Sequence, residues 1–237
     1  MFLDDFYTQD AGRIRIAAPQ ASRFAKQMAG DYNPIHDPDA RRFCVPGDLL
    51  FALVLARHGL SQRMTFRFRG MVGDDEPLNI HERDPATLSV EDAAGKEVLS
   101  VERGGETTHD LDVIEAFVRR YIAFSGRNFP HYLQPLMERH GVMFNPQRPL
   151  VIYDSMGFTL ASLDVAALEV AFAASAFDIQ GKRGEAHLEF RMTSRGEVVG
   201  SGTKTLVVSG LREYDAEVMD AFVDEFTRRK ALYEATD

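Results

Sequence analysis

Residues 29–55 read A-G-D-Y-N-P-I-H-D-P-D-A-R-R-F-C-V-P-G-D-L-L-F-A-L-V-L, and the fold turns on this stretch. Its first part sets a carboxylate (Asp31), an amide (Asn33) and an imidazole (His36) on one short loop. Its second part opens at Gly47 into a helix that is apolar nearly all round, and helices of that kind are buried. Ahead of the loop, Ala21, Phe24, Ala25 and Met28 follow helical spacing, and Gly30 sits where that helix would stop. Pro34 disfavours the helical region for Asn33, so residues 31–36 form a stiff loop at a helix C-terminus. Polar groups held over the start of a core helix are an arrangement that can carry chemistry.

Beyond the apolar helix the period changes to two. Met64, Phe66 and Phe68 alternate with Thr65, Arg67 and Arg69, the pattern of a strand with one buried face. Residues 78–81, 86–91 and 98–103 continue it, with Ala94-Gly95 as a turn between the last two, and Ile14 and Ile16 flank Arg15 in a short opening strand. The polar, glycine-led run 104–112, G-G-E-T-T-H-D-L-D, reads as a linker.

The second half of the chain repeats the first. An amphipathic helix over 113–124 leads into S-G-R-N-F-P-H (125–131), which answers A-G-D-Y-N-P-I-H, and M-G-F-T-L (156–160) answers P-G-D-L-L. Strand-like alternation comes next over 171–177 and 186–192, and the pair around Gly196 echoes the one around Gly95. Four echoes at an offset of roughly 95 to 110 residues predict two copies of one unit. The expected units are 1–103 and 113–237, with a central helix over 47–58 in the first, another over 157–164 in the second, and a closing helix over 215–233. Arg127 aligns with Asp31, so the second copy has a histidine without its carboxylate, and a single site is expected in the first half.

The composition narrows the functions. With 27 basic and 36 acidic residues among 237, the net charge of -9 argues against a nucleic-acid partner and an anionic membrane surface. A single cysteine, Cys44, excludes an internal disulfide and reads as a small buried hydrophobe. The histidines show no metal-ligand spacing and the glycines no phosphate-loop pattern, so neither a metal nor a cofactor is expected. The start M-F-L-D-D-F-Y lacks the basic start and apolar run of a signal peptide, which leads to the expectation of a cytoplasmic protein.

At Gly30-Asp31-Tyr32-Asn33-Pro34-Ile35-His36 the sequence resembles the signature of the MaoC-like, (R)-specific enoyl-CoA hydratases. The preceding helix, the Gly47-opened helix and F-R-F-R-G-M-V-G-D (66–74) sit in that family's order. The resemblance implies an α+β hot-dog fold, a curved antiparallel sheet wrapped around one apolar helix. With the internal repeat it implies a double hot dog of two such sheets, as a monomeric pseudo-dimer or a homodimer. It further implies that Asp31 and His36 activate a water, that Asn33 supports the loop, and that a backbone N–H at Gly47 polarises a thioester carbonyl. The substrate would be an acyl-CoA or an acyl-carrier-protein thioester. Adding water to an enoyl thioester needs a base, an acid and a donor for the developing enolate oxygen, and a helix N-terminus supplies the donor. Arg41 and Arg42 are candidate contacts for the coenzyme A phosphates, and Met156 and Phe158 candidate walls of the acyl tunnel.

Competing expectations stand beside this one. Asp31 can be a carboxylate satisfying local N–H groups and His36 a hydrogen-bonded core imidazole, as in an acyl-binding or scaffold protein without turnover. A hot-dog thioesterase needs a helix-borne carboxylate near the thioester, and only Asp48 qualifies.

Overall fold

The computed structural model describes residues 1–165 and 167–235. A hairpin of β1 (Thr8–Asp10) and β2 (Arg13–Arg15) precedes α1 (Ala18–Phe24), which runs on as a π-helical turn over Ala25–Ala29. Gly30, at φ 61°, ends that turn in the left-handed conformation that glycine adopts without steric cost. After the Asp31–His36 loop comes α2 (Gly47–His58), in which every residue from Asp48 to Leu55 is buried, as its all-apolar sequence predicts. Phe51 anchors it, with its ring 5.0 Å from both Phe66 and Tyr121.

Four strands succeed it: β3 (Leu60–Phe68), β4 (Asn79–Asp84), β5 (Thr87–Glu91) and β6 (Glu97–Thr108). The stretch read as a linker is taken up by the end of β6 and the start of α3 (Leu111–Ser125). Asp110 caps that helix by accepting from the N–H groups of Asp112 and Val113. Then come α4 (Leu133–Arg139), the short β7 (Val142–Met143), and β8 (Val151–Leu160), β9 (Leu168–Gln180), β10 (Arg183–Ser194) and β11 (Glu197–Ser209). β12 (Arg212–Glu213) pairs with β7, and α5 (Ala216–Glu234) closes the described chain.

The large strands form one antiparallel sheet of eight, in the order β4-β5-β6-β3-β8-β11-β10-β9. The order is a mirror about the β3–β8 seam: in each half the first strand lies at the seam and the second at the far edge. The expectation of two separate sheets is thereby corrected. β3 and β8 pair directly, Met64 opposite Phe158 and Phe66 opposite Met156, because a four-stranded half alone would leave an apolar edge with unpaired backbone groups. The product is an α+β fold, an antiparallel sheet with the apolar helix α2 packed on its inner face.

A second correction concerns residues 157–164, expected as a helix. Met156, Phe158 and Leu160 are buried and alternate with less buried neighbours, the period of a strand. The match of M-G-F-T-L to P-G-D-L-L rested on the glycine, yet Gly157 pairs with Thr65 across the seam. The element preceding the second set of strands is α4, seven residues long against twelve for α2. It packs with α5 into a smaller apolar cluster of Leu133, Met137, Phe144, Leu206 and Met219, separate from the larger one around α2 and α3.

Candidate active site

The loop after Gly30 is locked by its own side chains. Asp31 Oδ1 accepts the Asn33 N–H at 2.9 Å, and Asn33 Oδ1 accepts the Ile35 N–H at 3.2 Å, capping a 3-10 turn over Pro34–His36. His36 Nδ1 lies 2.6 Å from the carbonyl oxygen of Cys44. A carbonyl only accepts, so Nδ1 carries the hydrogen, and in the neutral ring Nε2 is a bare acceptor. That nitrogen faces the free oxygen of Asp31, Oδ2, at 3.7 Å. Two acceptors held at that separation leave room for one protic molecule to donate to both.

Both groups face the start of α2. Gly47 lines the same cavity, and a Cβ placed there would meet the Phe68 ring at 2.9 Å and the Tyr153 ring at 3.0 Å. Only glycine lets the helix start pass so close under these rings. The N–H groups of a first helical turn have no partner within the helix and carry the positive end of its dipole.

The polar cluster beneath this point is assembled from three distant segments. Asp48, in the first turn of α2, accepts through Oδ2 from the Ser125 hydroxyl at 2.6 Å, while Lys204 on β11 hydrogen-bonds the same hydroxyl through Nζ. The Lys204 ammonium also lies 3.9 Å from the centre of the Tyr153 ring, whose hydroxyl is 2.5 Å from that of Tyr121. Asp48 and Lys204 are both buried, 8% and 2% exposed. Burial therefore disfavours both charges: it holds the Asp48 carboxyl above the usual carboxylate range against the pull of Lys204, and the Lys204 ammonium below the usual lysine range. Among the described residues, Oδ1 of Asp48 has no hydrogen-bond partner, and neither has Oδ1 of Asn128. Burial likewise pushes both tyrosine hydroxyls well up.

All of these groups except Tyr121 line one cavity of about 350 Å³. Asp31, Asn33, His36 and Gly47, the four expected catalytic residues, all face it, joined by Asp48, Ser125, Asn128 and Lys204. Its apolar wall comes from both halves of the chain, Val45, Leu50, Phe68 and Val72 from the first and Phe129, Phe144, Leu206, Phe222 and Phe226 from the second. The structure does not bring the expected substrate-binding residues to this place. Arg41 and Arg42 are exposed and outside its lining, and Met156 and Phe158 are buried in the core at the sheet seam, Phe158 against Phe117 with centroids 4.9 Å apart. Cys44 contributes its carbonyl to His36, and burial pushes its thiol up to about 11. Arg127 and His131, in the stretch expected to answer Asp31 and His36, are exposed and outside the lining. Among the described residues no group of three or more His, Cys, Asp or Glu is arranged to hold a metal ion.

Sequence reasoning missed Lys204, although one signal of it is there to read. Lys204, Leu206 and Val208 share one period-two face of β11, so the lysine stands in a row of core residues.

A family described as "Protein of unknown function (DUF3581)" matches residues 1–217. The chain belongs to that family. No curated protein matches the sequence. Among solved structures, a conserved protein of unknown function with a hot dog fold from Alicyclobacillus acidocaldarius is 11% identical, with a TM-score of 0.47, over 88% of this chain and 98% of that one. A putative thioesterase II from Thermobifida fusca YX is 10% identical, TM-score 0.44, over 86% and 96%. A MaoC-like dehydratase is 12% identical, TM-score 0.43, over 86% and 98%. At these values the likeness adds nothing to the fold argument, which rests on the sheet itself. No helix among the described residues is long and apolar enough to cross a membrane.

Proposed function

We propose that the protein is an acyl-thioester hydratase or dehydratase, adding water to an enoyl-CoA or enoyl-carrier-protein substrate or removing it from the hydroxyacyl product. One observation carries the reading: Asp31 Oδ2 and His36 Nε2, two acceptors 3.7 Å apart, converge at a cavity that the start of α2 also lines. A water donating to both is polarised as a nucleophile. As its oxygen bonds to the β-carbon, one proton passes to the base pair and returns to the α-carbon, so the balance closes without a cofactor. The developing enolate oxygen is stabilised by the N–H groups of Gly47 and Asp48 at the very start of α2, ahead of Leu49 and Leu50, whose N–H groups bond the Pro46 carbonyl. The acyl tail then extends over Phe129, Leu206 and Phe226.

The same chemistry supports reading the chain as a tandem of two hot-dog units, 1–103 and 113–237. The mirrored strand order agrees with that reading, as does the close approach of Gly126 to the Ala29 carbonyl, which brings together the two helix ends that align in the repeat. In this division of labour the first unit supplies the acid/base pair and the second contributes Phe129, Leu206, Phe222 and Phe226 to a shared tunnel wall.

Thioester hydrolysis is the second reading, favoured by Asp48, a carboxyl in the first turn of α2 with one oxygen free. Incubation with a crotonyl thioester separates the two. Hydration removes the enoyl absorbance and releases no thiol; hydrolysis releases thiol in step with turnover. Thiol release without hydration refutes the hydratase reading, and neither change refutes both.

A further inference from the structure

We infer that the acyl group taken by this cavity carries a hydroxyl of its own, beyond the carbons that react, and that Asp48 and Asn128 read it. The inference rests on the acyl-thioester reading of the same site. Two atoms carry it: Oδ1 of Asp48 and Oδ1 of Asn128 are shielded from solvent and unpartnered, and both residues line the cavity. Ser125 already occupies the other oxygen of Asp48, so Oδ1 is the corner left for a ligand. A buried acceptor without a partner costs about 1 to 3 kcal/mol, and a plain hydrocarbon chain filling the cavity would leave both in that state.

The neighbouring charges select the chemistry. A carboxylate on the chain has no hydrogen to offer either Oδ1, and an ammonium would have to shed its hydration in a buried place beside Lys204. A ketone has no hydrogen to give to an acceptor. A hydroxyl has one hydrogen to give, to whichever of these two acceptors it reaches or shared between them, and carries no charge to desolvate. The position is set by β11: Lys204 and Leu206 share one face of the strand, and both line the cavity. Asp31 acts electrostatically on both Asp48 and Lys204. The polar groups Asp48, Asn128 and Lys204 therefore share one cavity with the Asp31–His36 pair and with the apolar side chains of Leu206, Phe222 and Phe226.

The test is calorimetric binding of inert S-alkyl thioethers of phosphopantetheine, the arm common to coenzyme A and carrier proteins. One conjugate carries a plain chain; the others have the same chain with one hydroxyl moved along it. One hydroxylated isomer is expected to bind about 5- to 100-fold tighter than the plain chain, and Asn128→Leu is expected to remove most of that gain. If the plain chain binds wild-type protein as tightly as every hydroxylated isomer, the inference is overturned, with no variant needed. If no conjugate binds, the acyl-thioester reading itself fails and takes this inference with it.

Discussion

Replacing Lys204 by methionine removes the counter-charge that hydrogen-bonds into the buried cluster while keeping much of the side chain's volume. The lysine is 2% exposed, touches the Ser125 hydroxyl and lies over the Tyr153 ring. Its removal leaves Asp48 bonded to Ser125 without its ammonium partner, and breaking one side of a buried pair costs about 3 to 5 kcal/mol. The loss should depend on pH, with a sign fixed by Asp48. Burial holds its carboxyl above the ordinary value of 3.8 and Lys204 pulls it down, so the variant's carboxyl rises further. An acid whose folded pKa exceeds its unfolded one contributes stability when protonated and loses it as pH rises from the unfolded value through the folded one. Urea unfolding should thus show a small deficit near pH 4 that grows to about 3 to 5 kcal/mol by pH 8. The double variant Lys204→Met/Asp48→Asn, which removes both charges, should recover most of it. A deficit under about 1 kcal/mol at pH 8, with the double variant no better than the single, would mean that Asp48 and Lys204 do not interact across Ser125.

Three further outcomes are expected from the packing. Gly126→Ala sets a Cβ against the backbone carbonyl of Ala29, with no flexible atom to yield, and differential scanning calorimetry should register a loss of about 1 to 3 kcal/mol. The Cys44 thiol, held up to about 11 against an ordinary 9.0, should react with a maleimide at pH 8 far more slowly in native protein than in denaturant; native stability should also fall between pH 9 and 11, where only the unfolded thiol ionises, and Cys44→Ala should flatten that fall. Phe158→Ala should cost about 3 to 5 kcal/mol as a core truncation without altering acyl-length preference, whereas Phe226→Ala, at the cavity wall, should shift the preference toward longer chains.

The elements legible in the sequence were those set by local periodicity and by glycine. The apolar run after Gly47 is a buried helix, Gly30 ends the preceding one, and the alternation about Phe66 is a strand. The closing helix, expected over 215–233, is α5 (Ala216–Glu234). The spacing from Asp31 to His36 carried the loop geometry, because its hydrogen bonds are local. β8 differs from its expected helix because a short apolar segment with one glycine fits either period, and its pairing with β3 is decided by a partner strand about 90 residues away. The fusion of the two half-sheets was hidden for the same reason. The deep half of the site was hidden too, because Ser125 stands 77 residues from Asp48 and 79 from Lys204 in sequence. No local spacing encodes such a contact. A carboxylate opening an all-apolar helix and a lysine on the apolar face of a strand were its only traces.

The central claim is that Asp31 and His36 together activate a water for addition to an enoyl thioester. It is tested most directly by measuring the hydration rate and the melting curve of wild-type protein, Asp31→Asn and His36→Ala under the same conditions. The account predicts wild-type hydration, a loss of about 100- to 10,000-fold in each variant, and melting curves that nearly coincide, since both side chains are partly exposed at the cavity. Absence of wild-type hydration, or variants that keep their rate while losing about 1 to 3 kcal/mol of stability, would contradict it and leave the pair as a structural clasp of the loop.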